Sequence, residues 1–234
     1  NISCQMKIHT VLSTTDSTLF FEQIRELIEQ QIIFCQRDAE SFEDIEDYAD
    51  TILPDQIVVL KLIQLMCDGN YMPCKDIFRE QEGNVRFVNI LGCIVDYVKL
   101  VSRSETPRCT KIAIRLMKTV IGLLQGPCTG NQDYFVLHSD LLAALNRMLR
   151  STIPLNCSTE WSNDIELLKE NIVDVLCACI EAQPEKSPVM ERVESVIEAN
   201  VLNVIIFPLS ESEDSATLTT LQQKYLVFLQ TLNA

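Results

Sequence analysis

The stretch TPRCTKIAIRLMKTVIGLLQGP, Thr106 to Pro127, holds a whole helix with both of its ends in view. Thr106 can cap the first free N–H groups with its side-chain oxygen, and Pro107 suits a first helical position because its missing N–H has no intrahelical partner to lose. Ile112, Leu116, Val120 and Leu124 then recur at four-residue spacing and form one apolar stripe. Gly126 and Pro127 break the run. Such a segment is a helix that buries one face, and the same pattern extends in both directions.

Upstream, Leu19 to Cys35 places Phe20, Ile24, Leu27, Ile28 and Ile32 on one stripe, opposite Glu22, Arg25, Glu26 and Glu29. A helix opening at Pro54 runs through Ile57, Leu60, Ile63 and Met66 and stops near Gly69. Its only charge between Ile57 and Cys67 is Lys61, so it is expected at the centre of the domain. Pro73 to Gly83 gives a short helix, and Val85 to Val101 a longer one with Val88, Leu91, Val95 and Val98 inward. Downstream, Gly126 to Gln132 reads as a dense loop, followed by a helix from about Ser139 to Arg150. A second loop spans Ser151 to Ser162, and Asn163 with Glu166 fits a capping box for a helix through Ile180. Ser187 and Pro188 begin another, Val201 to Phe207 gives one more, and Ala216 to Leu232 the last.

With only six glycines in 234 residues there is little material for hairpin turns. The expected fold class is therefore all-α, a multi-helix bundle or irregular α-solenoid with antiparallel neighbours. Three parts are expected: 1–55 as a helical lead-in with an acidic segment, 56–207 as the main helical domain, and 208–234 as a C-terminal helix.

Composition narrows the function classes. A net charge of -14 argues against nucleic acid and anionic membranes as partners, since both reward a basic face. The acidic run Glu40 to Asp55 reads as a solvated helix face. No apolar stretch approaches the roughly 20 residues that span a bilayer, so direct membrane contact is not expected of this segment. The ten cysteines are scattered, without a CxxC pair, and most lie in apolar periodic stretches, which implies a reducing compartment. Catalysis is poorly supplied. A Cys128 or Ser139 nucleophile with His138 as base is conceivable, but a surface or cap role for His138 is the stronger reading. Cys177 and Cys179 point about 200 degrees apart on a helix and cannot share a zinc ion. No Gly-rich phosphate loop and no EF-hand loop is present. The expectation is a non-enzymatic protein with no cofactor.

Several words of the sequence resemble a known family. LMCDGN at Leu65 to Asn70, Phe78-Arg79-Glu80-Gln81 with Gly83-Asn84, VNILGCIVDYV at Val88 to Val98, QGPCTGNQ at Gln125 to Gln132 and IELLKE at Ile165 to Glu170 are similar to intracellular calcium-release channels. The region they resemble is the RIH-associated domain, shared by ryanodine receptors and inositol trisphosphate receptors. Cys-Asp-Gly, Val-Asp-Tyr and Cys-Thr-Gly-Asn-Gln are closer to the ryanodine branch. The likeness spans about Ile57 to Glu181 and implies a cytosolic regulatory and structural module that couples cytosolic signals to gating. It would work among the other domains of the same channel, a homotetramer if full length, at the cytosolic face of the endoplasmic or sarcoplasmic reticulum. The alternative is a stand-alone helical scaffold that binds a protein partner.

The resemblance also implies a calcium site. Family carboxylates fall at Asp68 and Gly122, and outer-shell contacts at Asn70 and Gln125. Here Asp68 is one methylene shorter than the family's glutamate, Asn70 stands for a histidine, and Gly122 has no side chain to offer. Calcium takes about six to eight oxygens, so a degraded site with weak or no calcium binding is expected.

Overall fold

Thr106 does open a helix: its side chain accepts a hydrogen bond from the Cys109 N–H at 3.2 Å, and the helix runs from Pro107 to Leu124. The computed structural model describes residues 2–40, 53–69, 71–152, 157–197 and 219–232. Among these lie eleven helices and no strand, an all-α bundle. In chain order they are α1 (Ile2–Thr14), α2 (Thr18–Glu40), α3 (Leu53–Cys67), α4 (Pro73–Asp76), α5 (Ile90–Val101) and α6 (Pro107–Leu124). They continue as α7 (Thr129–Leu137), α8 (Leu141–Leu149), α9 (Thr159–Ile180), α10 (Pro188–Val196) and α11 (Thr220–Leu232). No helix among the described residues is long and apolar enough to cross a membrane.

Helix α6 is the hub, packed against α9 on one side and α3 on the other, with α5 and α7 at its flanks. Helix α2 lies on α5, and α11 closes over α9. One continuous apolar core runs through these contacts, from Phe21 and Ile28 through Leu60, Leu91, Leu116 and Phe135 to Leu176 and Phe228.

Several expectations shift against this structure. Within the expected helical lead-in, a separate helix α1 precedes the one expected from Leu19 to Cys35; it is held by side-chain bonds made elsewhere in the chain, described below. The inward face of α2 is Phe21, Ile24, Ile28 and Cys35, while Leu27 is exposed. Helix α3 is not enclosed on all sides: Val58, Leu62 and Leu65 form an exposed stripe, because its packing neighbours among the described residues, α6, α2 and α4, lie against its other faces. The Val85 to Val101 helix starts only at Ile90, capped by Asn89, whose side chain accepts from Gly92 N–H at 3.0 Å. The short helix at Pro73 ends at Asp76, well before Gly83. Helix α9 begins four residues before Asn163. Ser158 caps it instead, accepting from Trp161 N–H at 3.2 Å, and the extra turn lets the Trp161 indole N–H donate to Thr110 Oγ1 at 3.0 Å. The Val201–Phe207 helix and most of the acidic run lie outside the described residues.

Candidate functional site

The end of α3 is built by two distant partners. Gly69, at φ 104°, takes the left-handed turn that stops the helix. Gln5 of α1 reaches in from the other side, its amide donating to the carbonyl of Met66 at 3.0 Å and to that of Asp68. The backbone of Asp68 is thereby fixed while its carboxylate stays exposed. Gly122, in the last turn of α6, faces the end of α3: a Cβ there would stand 3.7 Å from Gln64 Cγ and 3.8 Å from Cys67 Cβ. Gln125 is the C-cap of α6 with its side chain exposed. The structure thus brings Asp68, Gly122 and Gln125 to one corner. Asn70 lies outside the described residues.

Sequence reasoning missed the group at the middle of that corner. Lys75 of α4 is fully buried, and its Nζ donates to the Gln125 carbonyl oxygen at 2.6 Å. Loss of water pulls the ammonium pKa below the ordinary lysine value, and the nearby Cys67, Cys128, Glu181 and Asp68 act the other way. Glu181, just past α9, accepts from the Gly126 N–H at 3.4 Å. Nothing in the local sequence PCKD marks this lysine as interior, because a charged residue beside a helix end is ordinarily solvated.

A calcium ion is poorly matched to these residues. It takes about six to eight oxygens, whereas this corner offers the Asp68 carboxylate at the end of α3, the Glu181 carboxylate held by the Gly126 N–H, and a backbone carbonyl already engaged by an ammonium. Gly122 contributes nothing. Among the described residues no three Asp, Glu, His or Cys side chains are placed to hold a metal together.

The neighbouring Gly126 to Gln132 segment is only briefly a loop. Gly126 turns the chain at φ 94°, Cys128 N–H returns to the Leu124 carbonyl at 2.9 Å, and helix α7 resumes at Thr129. What makes a helix of this glycine-rich stretch is its long-range bonding. Arg79 Nη1 donates to Asn131 Oδ1 at 2.7 Å, and Asn131 Nδ2 donates to the carbonyls of Leu123 at 3.0 Å and Lys75 at 3.3 Å. Gln132 Nε2 donates to the carbonyls of Ala178 at 2.8 Å and Glu181 at 3.0 Å, and its Oε1 accepts from Gln183 at 2.7 Å. Both side chains are fully buried. Together they tie α4, α6 and the end of α9 to α7.

The other quoted words have similar work. Gln81 bridges backbone on both sides of its turn, accepting from Val88 N–H at 2.8 Å and donating to the Val88 carbonyl at 3.0 Å. Asn84 accepts from the Ser17 N–H at 2.9 Å, and at Gly83 a Cβ would come within 2.9 Å of the Ser13 carbonyl oxygen, so a glycine is what lets this turn sit under the end of α1. Asn89 Nδ2 donates to the Tyr134 hydroxyl at 2.7 Å, joining α5 to α7.

The catalytic alternative finds no geometry. Cys128 and His138 stand at opposite ends of α7, about 15 Å of helical rise apart. Ser139 Oγ donates to the Phe135 carbonyl at 2.7 Å and accepts from Leu141 N–H, a local capping role. The cysteines form no disulfide and several are held neutral by burial, with Cys128 and Cys177 pushed up to about 11 and Cys179 to about 12. A small cleft lined by Trp161, Thr110, Arg147 and Ser102 lies elsewhere, between α5, α6, α8 and α9. Arg147 Nη1 donates there to Ser102 Oγ at 3.0 Å, which accounts for its charged group.

Asp68, Lys75, Gly122, Gln125, Asn131 and Gln132 fall within a match to a known family model. Residues 55–149 match the model described as RyR and IP3R Homology associated, which includes every quoted word from LMCDGN to QGPCTGNQ. Residues 55–149, a helical segment of this chain, are thus similar to an RyR and IP3R Homology associated domain.

Proposed function

We propose that this chain is a cytosolic regulatory and structural module of a ryanodine-receptor-like intracellular calcium-release channel, which influences gating by domain contacts and not by chemistry. The observation that supports it most is the placement of Asn131 and Gln132 inside the matched family region. Both are buried polar residues whose bonds join α4, α6, α7 and α9 into one unit. A rigid helical unit of this kind passes displacement from one neighbour to the next. Its partners are the other domains of the same channel, in a homotetramer on the endoplasmic or sarcoplasmic reticulum. Calcium binding at Asp68 is weak or absent, for want of a second carboxylate at Gly122. The test is calcium release from vesicles carrying the full-length protein. Asn131→Ala with Gln132→Ala should shift the release threshold; unaltered release would count against the reading. Calorimetric titration showing micromolar calcium affinity that disappears in Asp68→Ala would overturn the part about calcium.

A second reading has its own observation. The exposed stripe Val58, Leu62 and Leu65 on α3 is apolar surface of the kind a stand-alone scaffold presents to a protein partner. A complete transcript encoding no membrane-spanning segment would favour it, and one encoding a pore region would favour the channel.

A further inference from the structure

A buried lysine needs a reason, because desolvating an ammonium costs several kcal/mol unless charges and hydrogen bonds compensate. Lys75 is 0% exposed, and among the described residues its ammonium donates across the fold to Gln125 O at 2.6 Å. That distance is in the short, charge-assisted range. Its acceptor is a C-terminal carbonyl of α6, at the partially negative end of the helix macrodipole. Two carboxylates, Asp68 at the end of α3 and Glu181 just past α9, add their attraction. The Lys75 backbone is anchored as well, its carbonyl accepting from Asn131 Nδ2 at 3.3 Å. A helix C-terminus, its last carbonyl and nearby carboxylates make up the surroundings that a soluble cation seeks. Here a cation is already present, and it is covalently part of the chain.

We infer that Lys75 is a tethered cation that holds the corner between α3, α6 and α9 in place of a soluble divalent ion, so that the corner keeps its shape whatever the calcium concentration. The inference rests on the absence of calcium binding proposed above and supplies its cause: a positive charge inside the corner, not merely a missing carboxylate. The difference matters. If the missing carboxylate were the whole reason, restoring it would restore the site; if the ammonium is the reason, restoring it would not.

Gly122→Glu makes the distinction. The added side chain has room, since its Cβ meets only ordinary contacts at 3.7 Å and beyond, and a glutamate replaces a helical glycine. In calorimetric titration of the 234-residue chain with calcium chloride, the wild type and Gly122→Glu should both give flat isotherms, and Gly122→Glu should melt higher because glutamate favours a helix over glycine. Adding Lys75→Gln to Gly122→Glu should produce a calcium-dependent rise in Tm and a measurable isotherm, at least a tenfold gain in affinity over the single variant. Micromolar calcium binding by Gly122→Glu with Lys75 intact would overturn the inference while leaving the wild-type chain calcium-blind as proposed. A folded double variant that stays indifferent to calcium would overturn it too. Should the double variant not fold, the Gly122→Glu isotherm decides alone.

Discussion

The guanidinium of Arg79 lies across Gly130: a Cβ on Gly130 would stand 2.3 Å from Arg79 Nη1, the same nitrogen that donates to Asn131 at 2.7 Å. Arg79 is also paired with Asp76 at 3.0 Å, so its position is fixed from two sides. Gly130→Ala must therefore displace it. The expected cost is about 1–3 kcal/mol, the usual range for overpacking a filled site. In an Arg79→Ala background the same change should be neutral or stabilising by up to about 1 kcal/mol, since alanine favours the helix over glycine. Urea unfolding of the four proteins measures the coupling, and simple additivity would refute it.

Gln132→Ala should be among the more damaging single changes. It leaves the carbonyls of Ala178 and Glu181 and the amide of Gln183 without their buried partner. Each unsatisfied group costs about 1–3 kcal/mol, less whatever water recovers. A loss of about 2–4 kcal/mol is expected, with amide exchange rising first at the end of α9. Hydrogen exchange read by mass spectrometry would show the location.

Stability should fall in mild alkali. Burial pushes Cys93 and Cys128 up to about 11, Cys179 to about 12, and Cys67, Cys74 and Tyr97 upward as well. Below pH ~8.5, the unfolded thiol value, these groups are protonated in both states and their contribution is complete. As pH rises further the unfolded chain loses protons that the native chain keeps, so the contribution drains away until the folded pKa values are passed. Lys75 and Lys169 work against this. Their lowered pKa values mean the native state binds fewer protons, which favours folding as pH approaches the ordinary lysine value. The thiols and Tyr97 outnumber the two lysines, so Tm should drop between pH 8 and pH 10.5. Cys179→Ala should flatten the slope; an unchanged slope would contradict the assignment.

Thiol chemistry should follow the same division. Cys4 is exposed, Cys109 and Cys157 are partly so, and Cys67, Cys74, Cys128 and Cys179 are buried. An aromatic disulfide reagent should modify Cys4 in the native chain at once and reach the buried four only at the rate of unfolding. Peptide mapping identifies the modified sites, and early labelling of Cys67 would be inconsistent with the packing of the end of α3.

The parts of this protein that could be read from the sequence are those fixed by neighbours along the chain. The Thr106 cap, the Pro107 start and the Ser187 cap, which accepts from Met190 N–H at 3.2 Å, depend on residues within one turn. The inward face of α5 follows from spacing alone, and Leu91, Val95 and Val98 are indeed buried, as is Val88 just ahead of the helix. Capping at Ser158 instead of Asn163 was ambiguous locally, since both side chains can cap, and it was settled by what Trp161 gains on α6.

All-helical architecture, its breakers and the family likeness of its central segment were thus determined by the sequence itself, because periodicity, caps and turns are local physics. Tertiary structure alone decided the rest. Helix α1 is docked by Gln5 bonding to the end of α3, more than sixty residues away. Helix α7 forms from a segment rich in turn residues because Arg79, Leu123 and Ala178 offer partners to Asn131 and Gln132. Lys75, an ordinary charge in the sequence, becomes the centre of the corner because α4 points it at the carbonyl end of α6. Polar side chains are promiscuous along the chain and become specific only when the fold removes water from every other choice.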